Sequence, residues 1–405
     1  MKFLRIIILL AAFFAVGAFS AQANSSSPWP SQAKRATSTP RPTRTKVQTP
    51  TRTPSKTRTF TLSPTNTATF TRTPTLTYTP SSTRTSTFTF TSTDTPTLTE
   101  TPTLTSTPNE SAFVFASMGD AQDLVVKFLA TSNQIASLNP AFVIFNGDLE
   151  SNGVVSTEMN EMVADLKTSG IFDQTFLVRG NHDNHVSGSA ALWESYFETA
   201  PNIKVLPAGV TDYVSLNSSS DTLTYSFIYG NSMFLGFDVP GGASLLTSAQ
   251  LTFMDTRLIY AESRGLVHAF IYFHGPIYCV ESTHCTCTAR TDASCTPSAL
   301  ITVINKHPII SAFFHGHEHI LGWVHMDNTR LSALTGSFEE FITSPSGGGT
   351  YNAYLYPARM DYYYPDMGTY EKQGFATISV NGRSFTFSIY KVGTTSPVWS
   401  KTFTK

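Results

Sequence analysis

The chain has 405 residues, room for about two or three domains at ~150 residues each, and its 27 Lys/Arg and 28 Asp/Glu leave a formal net charge of -1. That balance averages two unlike parts, for residues 24–110 carry ten Lys/Arg against three acids while residues 111–405 carry fifteen against twenty-five. The acidic larger part speaks against a nucleic-acid-binding domain, which would present a basic face; the lack of any eighteen-residue apolar run excludes a polytopic membrane protein, and the composition excludes collagen, a coiled coil and a wholly disordered chain.

Lys2 and Arg5 precede an apolar run from Ile6 to Phe19, and Ala21-Gln22-Ala23 follows. A charged start, a short apolar run and small residues at a cleavage point read as a secretory signal peptide over residues 1–23. The fourteen-residue run would span ~21 Å as a helix, short of a ~30 Å hydrocarbon core, so a retained anchor is the alternative. Either way the remainder is expected outside the cytoplasm, secreted or at the cell surface.

From Thr49 to Thr107 every odd-numbered residue is Thr or Ser, and Pro50, Pro54, Pro64, Pro74, Pro80, Pro96, Pro102 and Pro108 occupy even positions. Period-two alternation normally suggests a strand. Here the even positions mix Pro, Arg, Phe, Leu, Asp and Ser, and each proline removes a ladder donor. Residues 24–110 are therefore expected to be an extended, disordered Thr/Pro-rich linker or stalk, O-glycosylated on its hydroxyls or holding the protein to a cell surface.

The pattern changes at residue 111. Phe113–Ser117, Ala141–Phe145 and Thr175–Val178 read as buried strands, and Leu124–Leu138 and Val154–Ser169 as helices between them. Strand alternating with helix predicts a layered α/β domain over residues 111–405. Two hairpins follow, Thr222–Asp238 turning at Gly230-Asn231 and Phe375–Val392 turning at Asn381-Gly382. Between them lie a helix near Thr247–Ser263 and strands at His268–Phe273 and Ile309–Phe314.

The chemistry lies just past these strands. The first is followed by Gly119-Asp120-Ala121-Gln122, the second by Asn146-Gly147-Asp148 and the third by Arg179-Gly180-Asn181-His182-Asp183. The strand at 268–273 is followed by His274-Gly275-Pro276, and that at 309–314 by His315-Gly316-His317-Glu318-His319. A single Gly-Asp after a strand is usually a turn. Five strands each delivering Asp, Asn or His at the carboxyl end, where α/β sheets gather ligands, make a metal site. Oxygen and imidazole donors without thiolate suit Mn, Fe or Zn, and one bridging carboxylate can serve two cations ~3.5–4 Å apart.

Cys279, Cys285, Cys287 and Cys295 fall in one insertion, residues 278–297. Outside the cytoplasm they are expected to form two disulfides, with three pairings open; a small zinc site using His284 is the alternative. Tyr351, Tyr354, Tyr356 and Tyr362–Tyr364 either line an aromatic pocket or pack a loop against the sheets. His315 ends a strand beside the ligands and is a candidate to support them.

Taken together, the motifs from Asp120 to His319 resemble the calcineurin-like metallophosphoesterase family, including its purple-acid-phosphatase-like members. Gly180-Asn181-His182-Asp183 and Gly316-His317-Glu318-His319 match the family pattern fully. The resemblance implies a four-layer α/β (α+β) sandwich, two mixed β-sheets flanked by helices. It also implies two metal ions. Asp120, Gln122 and His319 would hold the first, Asp148 would bridge, and Asn181, His274 and His317 would complete the second. His182 would be the general acid, with Asp183 orienting it, and a hydroxide shared by the metals would attack the phosphorus of a phosphate mono- or diester.

Two departures stand out: Gln122 replaces the His of many members, with Asp123 as a competing donor, and Ser151 stands where the purple phosphatases carry Tyr. The expected function is a secreted metallophosphoesterase with no nucleic-acid-binding domain. The alternative is a non-catalytic or weakly catalytic surface binding protein on the same fold.

Overall fold

The computed structural model describes residues 66–79, 87–100, 112–122, 125–153, 155–197, 206–217, 223–239, 246–278, 298–349, 359–364 and 373–405. The signal-like start, Asp123, the four cysteines, Tyr351, Tyr354 and Tyr356 lie outside them. Among the described residues no helix is long and apolar enough to cross a membrane.

The chain divides into two units, Met1–Thr101 and Pro102–Lys405. In the first, β1 (Asn66–Thr79) and β2 (Thr87–Glu100) pair antiparallel from Asn66↔Glu100 to Thr79↔Thr87. These two segments of the Thr/Pro-rich tract are paired strands. The register sets Thr opposite Thr at odd positions, while the even positions pair mixed residues, Arg72 with Asp94 and Leu76 with Phe90 but also Phe70 with Pro96 and Pro74 with Ser92. Threonine's branched Cβ favours extended backbone, which here outweighs the two prolines within the strands.

The second unit contains two sheets. The first is ordered β16-β15-β14-β3-β4-β5, from β3 (Phe113–Met118), β4 (Val143–Asn146), β5 (Thr175–Val178), β14 (Gly374–Asn381), β15 (Ser384–Lys391) and β16 (Trp399–Thr404). The second is ordered β13-β11-β12-β10-β9-β8-β7-β6. Its strands are β6 (Val210–Ser215), β7 (Tyr225–Tyr229), β8 (Ser232–Gly236), β9 (His268–Tyr272), β10 (Ile310–His315), β11 (Leu321–Met326), β12 (Phe338–Thr343) and β13 (Tyr362–Tyr363). In the first sheet β3-β4-β5 are parallel and run to one edge, with β14, β15 and β16 antiparallel on the other side; in the second β8-β9-β10-β12 form a parallel centre with antiparallel strands on both sides.

Period-two alternation sorts the side chains into layers. Phe115, Phe142, Ile144, Phe176, Phe270, Phe314, Phe341 and Phe387 fill the space between the sheets. Phe115 is a hub, its ring 5.0–5.7 Å from those of Phe142, Phe234, Phe270 and Phe314; such complete burial contributes ~1.5–3 kcal/mol per side chain.

The alternate residues Ala116, Met118, Val143, Phe145 and Leu177 face α1 (Val125–Ser137), α2 (Ser156–Ser169) and α3 (Ser189–Phe197). On the other sheet Met233, Leu235, Ala269, Ile271 and Phe313 face α4 (Ser248–Ser263) and α5 (Ser298–Lys306). The result is the four-layer sandwich of two mixed sheets flanked by helices that the motifs implied.

One turn differs by a residue from expectation. Asn381 pairs with Ser384, so the β14–β15 turn is Gly382-Arg383 rather than Asn381-Gly382, and Gly382 takes φ 59°. The Tyr362 ring stacks 4.1 Å from that of Trp399, and Tyr363 and Tyr364 pack against the outer and inner cores.

Candidate metal centre

The parallel strands of both sheets end at one edge, and the polar motifs follow directly. The backbone there is held in an uncommon form. Asp120 (φ 54°), Gln122 (50°), Asp148 (57°), His317 (67°) and His319 (50°) all occupy the left-handed region. Such residues cost about 1–3 kcal/mol each and persist where surrounding structure enforces them. The motif glycines make close approach possible: a Cβ on Gly180 would lie 2.1 Å from Asp148 Oδ1, and one on Gly316 2.3 Å from Asp120 Oδ2.

All seven expected ligand residues come together. Asp120 Oδ1 lies 3.1 Å from His319 Nε2, which is 3.2 Å from the Gln122 amide nitrogen. A half-turn of that amide puts its carbonyl oxygen in the same place. Asp148 Oδ2 lies 3.1 Å from His274 Nε2. Asn181 Oδ1 is 3.0 Å from His274 Nε2 and 2.8 Å from His317 Nδ1, and those two ring nitrogens are 3.1 Å apart. Asp148 belongs to two clusters, with His274 and His317 in one and with Asp120 and His319 in the other; the donor atoms of each lie within 4.8 Å of one another.

This donor set fits cations. The His274 Nδ1–H donates to the Asn146 carbonyl at 2.8 Å, and the His319 Nδ1–H donates to the Gly349 carbonyl. Each Nε2 therefore aims a lone pair at a buried carboxylate, and two acceptors at 3.1 Å require a proton or metal ion between them.

The electrostatics say the same. Burial pushes the Asp148 carboxyl up, but His274 and His182 outweigh it and hold it at about 2. Burial pushes His274 down, but Asp148 and Asp120 outweigh that and raise it to about 9. His319 is likewise pushed down by burial and, on balance, raised by Asp120. The field at these nitrogens favours positive charge.

His182 sits at the rim, half-buried. Its Nδ1–H donates to the Ser151 carbonyl at 2.5 Å, and its Nε2 lies 4.0 Å from Asp148 Oδ2. Asp183 does not touch that ring, which corrects its expected role of orienting His182 directly. Its carboxylate instead accepts the backbone N–H groups of Asp148 (2.9 Å), Glu150 (3.0 Å) and Gly180 (2.8 Å), tying the loops after β4 and β5 together. Three amides thus converge on one buried carboxylate.

Other residues contribute in ways the sequence did not reveal. The Gly347-Gly348-Gly349 segment after β12 lies against the first cluster, the Gly348 N–H donating to the Asp120 carbonyl at 2.8 Å; the glycine run was a signal for close backbone approach. Arg179 binds Asp238 through two 2.8 Å hydrogen bonds, joining the β5 and β8 ends. Asn146 Nδ2 donates to Ser117 Oγ (2.9 Å) and Thr343 Oγ1 (2.8 Å), tying β4 to β3 and, across the gap, to β12. These partners are far apart in sequence and have no spacing to reveal them.

A two-sheet α/β sandwich with an Asp/Asn/His centre at the carboxyl ends of its parallel strands defines a class of metal-dependent hydrolases acting on phosphoric ester bonds. Residues 114–321 match the family model of the calcineurin-like phosphoesterases, and the chain belongs to that family. Among solved structures it is similar to PhoD, at 14% identity and a TM-score of 0.50, with 73% of this chain and 70% of that chain covered. It is also similar to the purple acid phosphatase PPD1 of yellow lupin (Lupinus luteus) seeds, at 14% identity and a TM-score of 0.52; the match covers 79% of this chain and 57% of the lupin protein. No curated protein matches the chain.

Proposed function

We propose that this protein is an exported phosphoesterase that cleaves phosphate mono- or diesters with two metal ions. The observation that carries this reading is Asp148, shared by two clusters of buried Asp and His donors. Asp120, Gln122 and His319 hold one cation, Asn181, His274 and His317 the other, and Asp148 spans both; Mn, Fe or Zn suits the donor set. Two cations there would supply an activated water as nucleophile and offset the charge on the phosphoryl oxygens.

His182 does the remaining proton work. Anchored through Nδ1 on the Ser151 carbonyl, it presents Nε2 at the rim, where a proton can pass to the departing oxygen. Asp183 is a positioning residue that holds the Asp148 loop.

In this reading residues 1–23 direct export, 24–110 form a Thr/Pro-rich tail suited to association with a cell surface, and 111–405 are the catalytic domain. Parallel assays on mono- and bis-aryl phosphates after reconstitution with Mn, Zn or Fe test it. Turnover supports the enzyme and its ratio names the ester class. Two bound metals without turnover on either ester would support the non-catalytic binding protein, for which Gln122 in place of His is the motive.

A further inference from the structure

Glu340 is a fully buried carboxyl on β12, directed at the helix-covered side of its sheet. No motif includes it. Its Oε1 accepts the backbone N–H of Ile277 at 2.7 Å and of Tyr278 at 3.1 Å, and lies 3.4 Å from His315 Nε2. The other nitrogen of His315 donates to the Phe273 carbonyl at 2.8 Å. Glu340 and His315 thus grip the main chain on both sides of His274, immediately before it and three to four residues after it. His274 follows the end of β9, where its carbonyl accepts the Gly316 N–H at 2.9 Å, and the Glu340 and His315 contacts add to that hold on either side.

We propose that Glu340 is a positioning residue for the second metal, acting with His315 to fix the Phe273–Tyr278 segment so that His274 Nε2 meets Asp148 and Asn181. This rests on the two-metal reading above. What matters is the reach and acceptor geometry of the side chain rather than its charge. Burial pushes the Glu340 carboxyl up to about 8, so an amide of the same length is a close substitute. Gln retains an oxygen at the Oε1 place for the two backbone amides. Asp keeps the acid but withdraws its oxygens by about one bond length, ~1.5 Å.

The test compares Glu340→Gln and Glu340→Asp with the wild-type chain, reading Mn equivalents retained after dialysis against a chelator, then kcat and KM for an aryl phosphate. Wild type and Glu340→Gln are expected to retain two equivalents with similar affinities. Glu340→Asp is expected to weaken the second equivalent about 10-fold or more, and to lower kcat comparably with KM nearly unchanged. If Glu340→Asp binds two equivalents like wild type, or Glu340→Gln loses as much as Glu340→Asp, the positioning role is overturned. Wild-type protein that binds fewer than two equivalents would overturn the two-metal reading itself, and this role with it.

Discussion

Asp148 and His274 belong to different sheets, yet Oδ2 of one lies 3.1 Å from Nε2 of the other and both side chains are buried. Asp148 follows β4 and His274 follows β9. Their meeting depends on the spacing of the two sheets at this edge, set by the aromatic core and by the Asn146 contacts to Ser117 and Thr343.

Asp148→Asn keeps the shape of the bridging side chain and removes its charge. Metal analysis after dialysis should show the loss of about one equivalent or more, and kcat should fall about 100-fold or more. Full metal content with unchanged turnover would contradict the bridging role.

His182→Ala should retain both metals. Turnover should fall by ~10²–10⁴-fold on esters with poor leaving groups, and much less on activated aryl esters, because a general acid matters most when the leaving oxygen is basic. A uniform loss across leaving groups would point away from proton donation.

Asp183→Asn replaces an acceptor-only carboxylate with a group that turns an N–H toward one of three backbone donors. One buried amide then lacks an acceptor, at a cost of about 1–3 kcal/mol. Urea unfolding of metal-free wild-type and variant protein measures this directly, and equal midpoints would refute it.

His268 provides a pH test away from the centre. Its Nε2–H donates to the Gly382 carbonyl at 3.0 Å and its Nδ1 accepts from Ser311 Oγ at 2.8 Å, tying β9 to the β14–β15 turn. Burial above all, with Lys405 and Arg383 adding to it, lowers its pKa from 6.5 to about 4. Above 6.5 both folded and unfolded chains keep it neutral. Between about 6.5 and about 4 only the unfolded chain takes the proton, so stability falls by about 3 kcal/mol across that window. Stability curves of wild type and His268→Gln should diverge in slope there; parallel curves would show that the ring is not held neutral.

Ser151 stands three residues after Asp148, and its carbonyl holds His182. Without a tyrosinate at that place, the iron-loaded protein should show no intense visible charge-transfer band. An absorption spectrum after iron reconstitution decides this.

The candidate ligands were legible in the sequence because each is tied to a strand end by a short local rule. A buried strand, a glycine and then Asp, Asn or His can be read without knowing where the strand lies. Asp183 was legible as a motif member, but its partners were not: the same carboxylate could have met the His182 ring, and only the folded loops show it accepting three amides. The roles of Glu340 and the triglycine segment were missed because their partners lie from 25 residues (Glu340 to His315) to more than 200 (Gly348 to Asp120) away. In the threonine tract, the pairing of Asn66–Thr79 with Thr87–Glu100 rests on a register between the two segments that alternation within either one does not reveal.

What the residues determine by themselves is local: which segments alternate, where they stop, and which donors stand just beyond. Whether those donors share ions is decided by tertiary packing, since donor atoms must come within a few ångströms while their strands belong to two separate sheets. The burial that brings them together also strips away water, which turns scattered polar residues into a centre that favours cations.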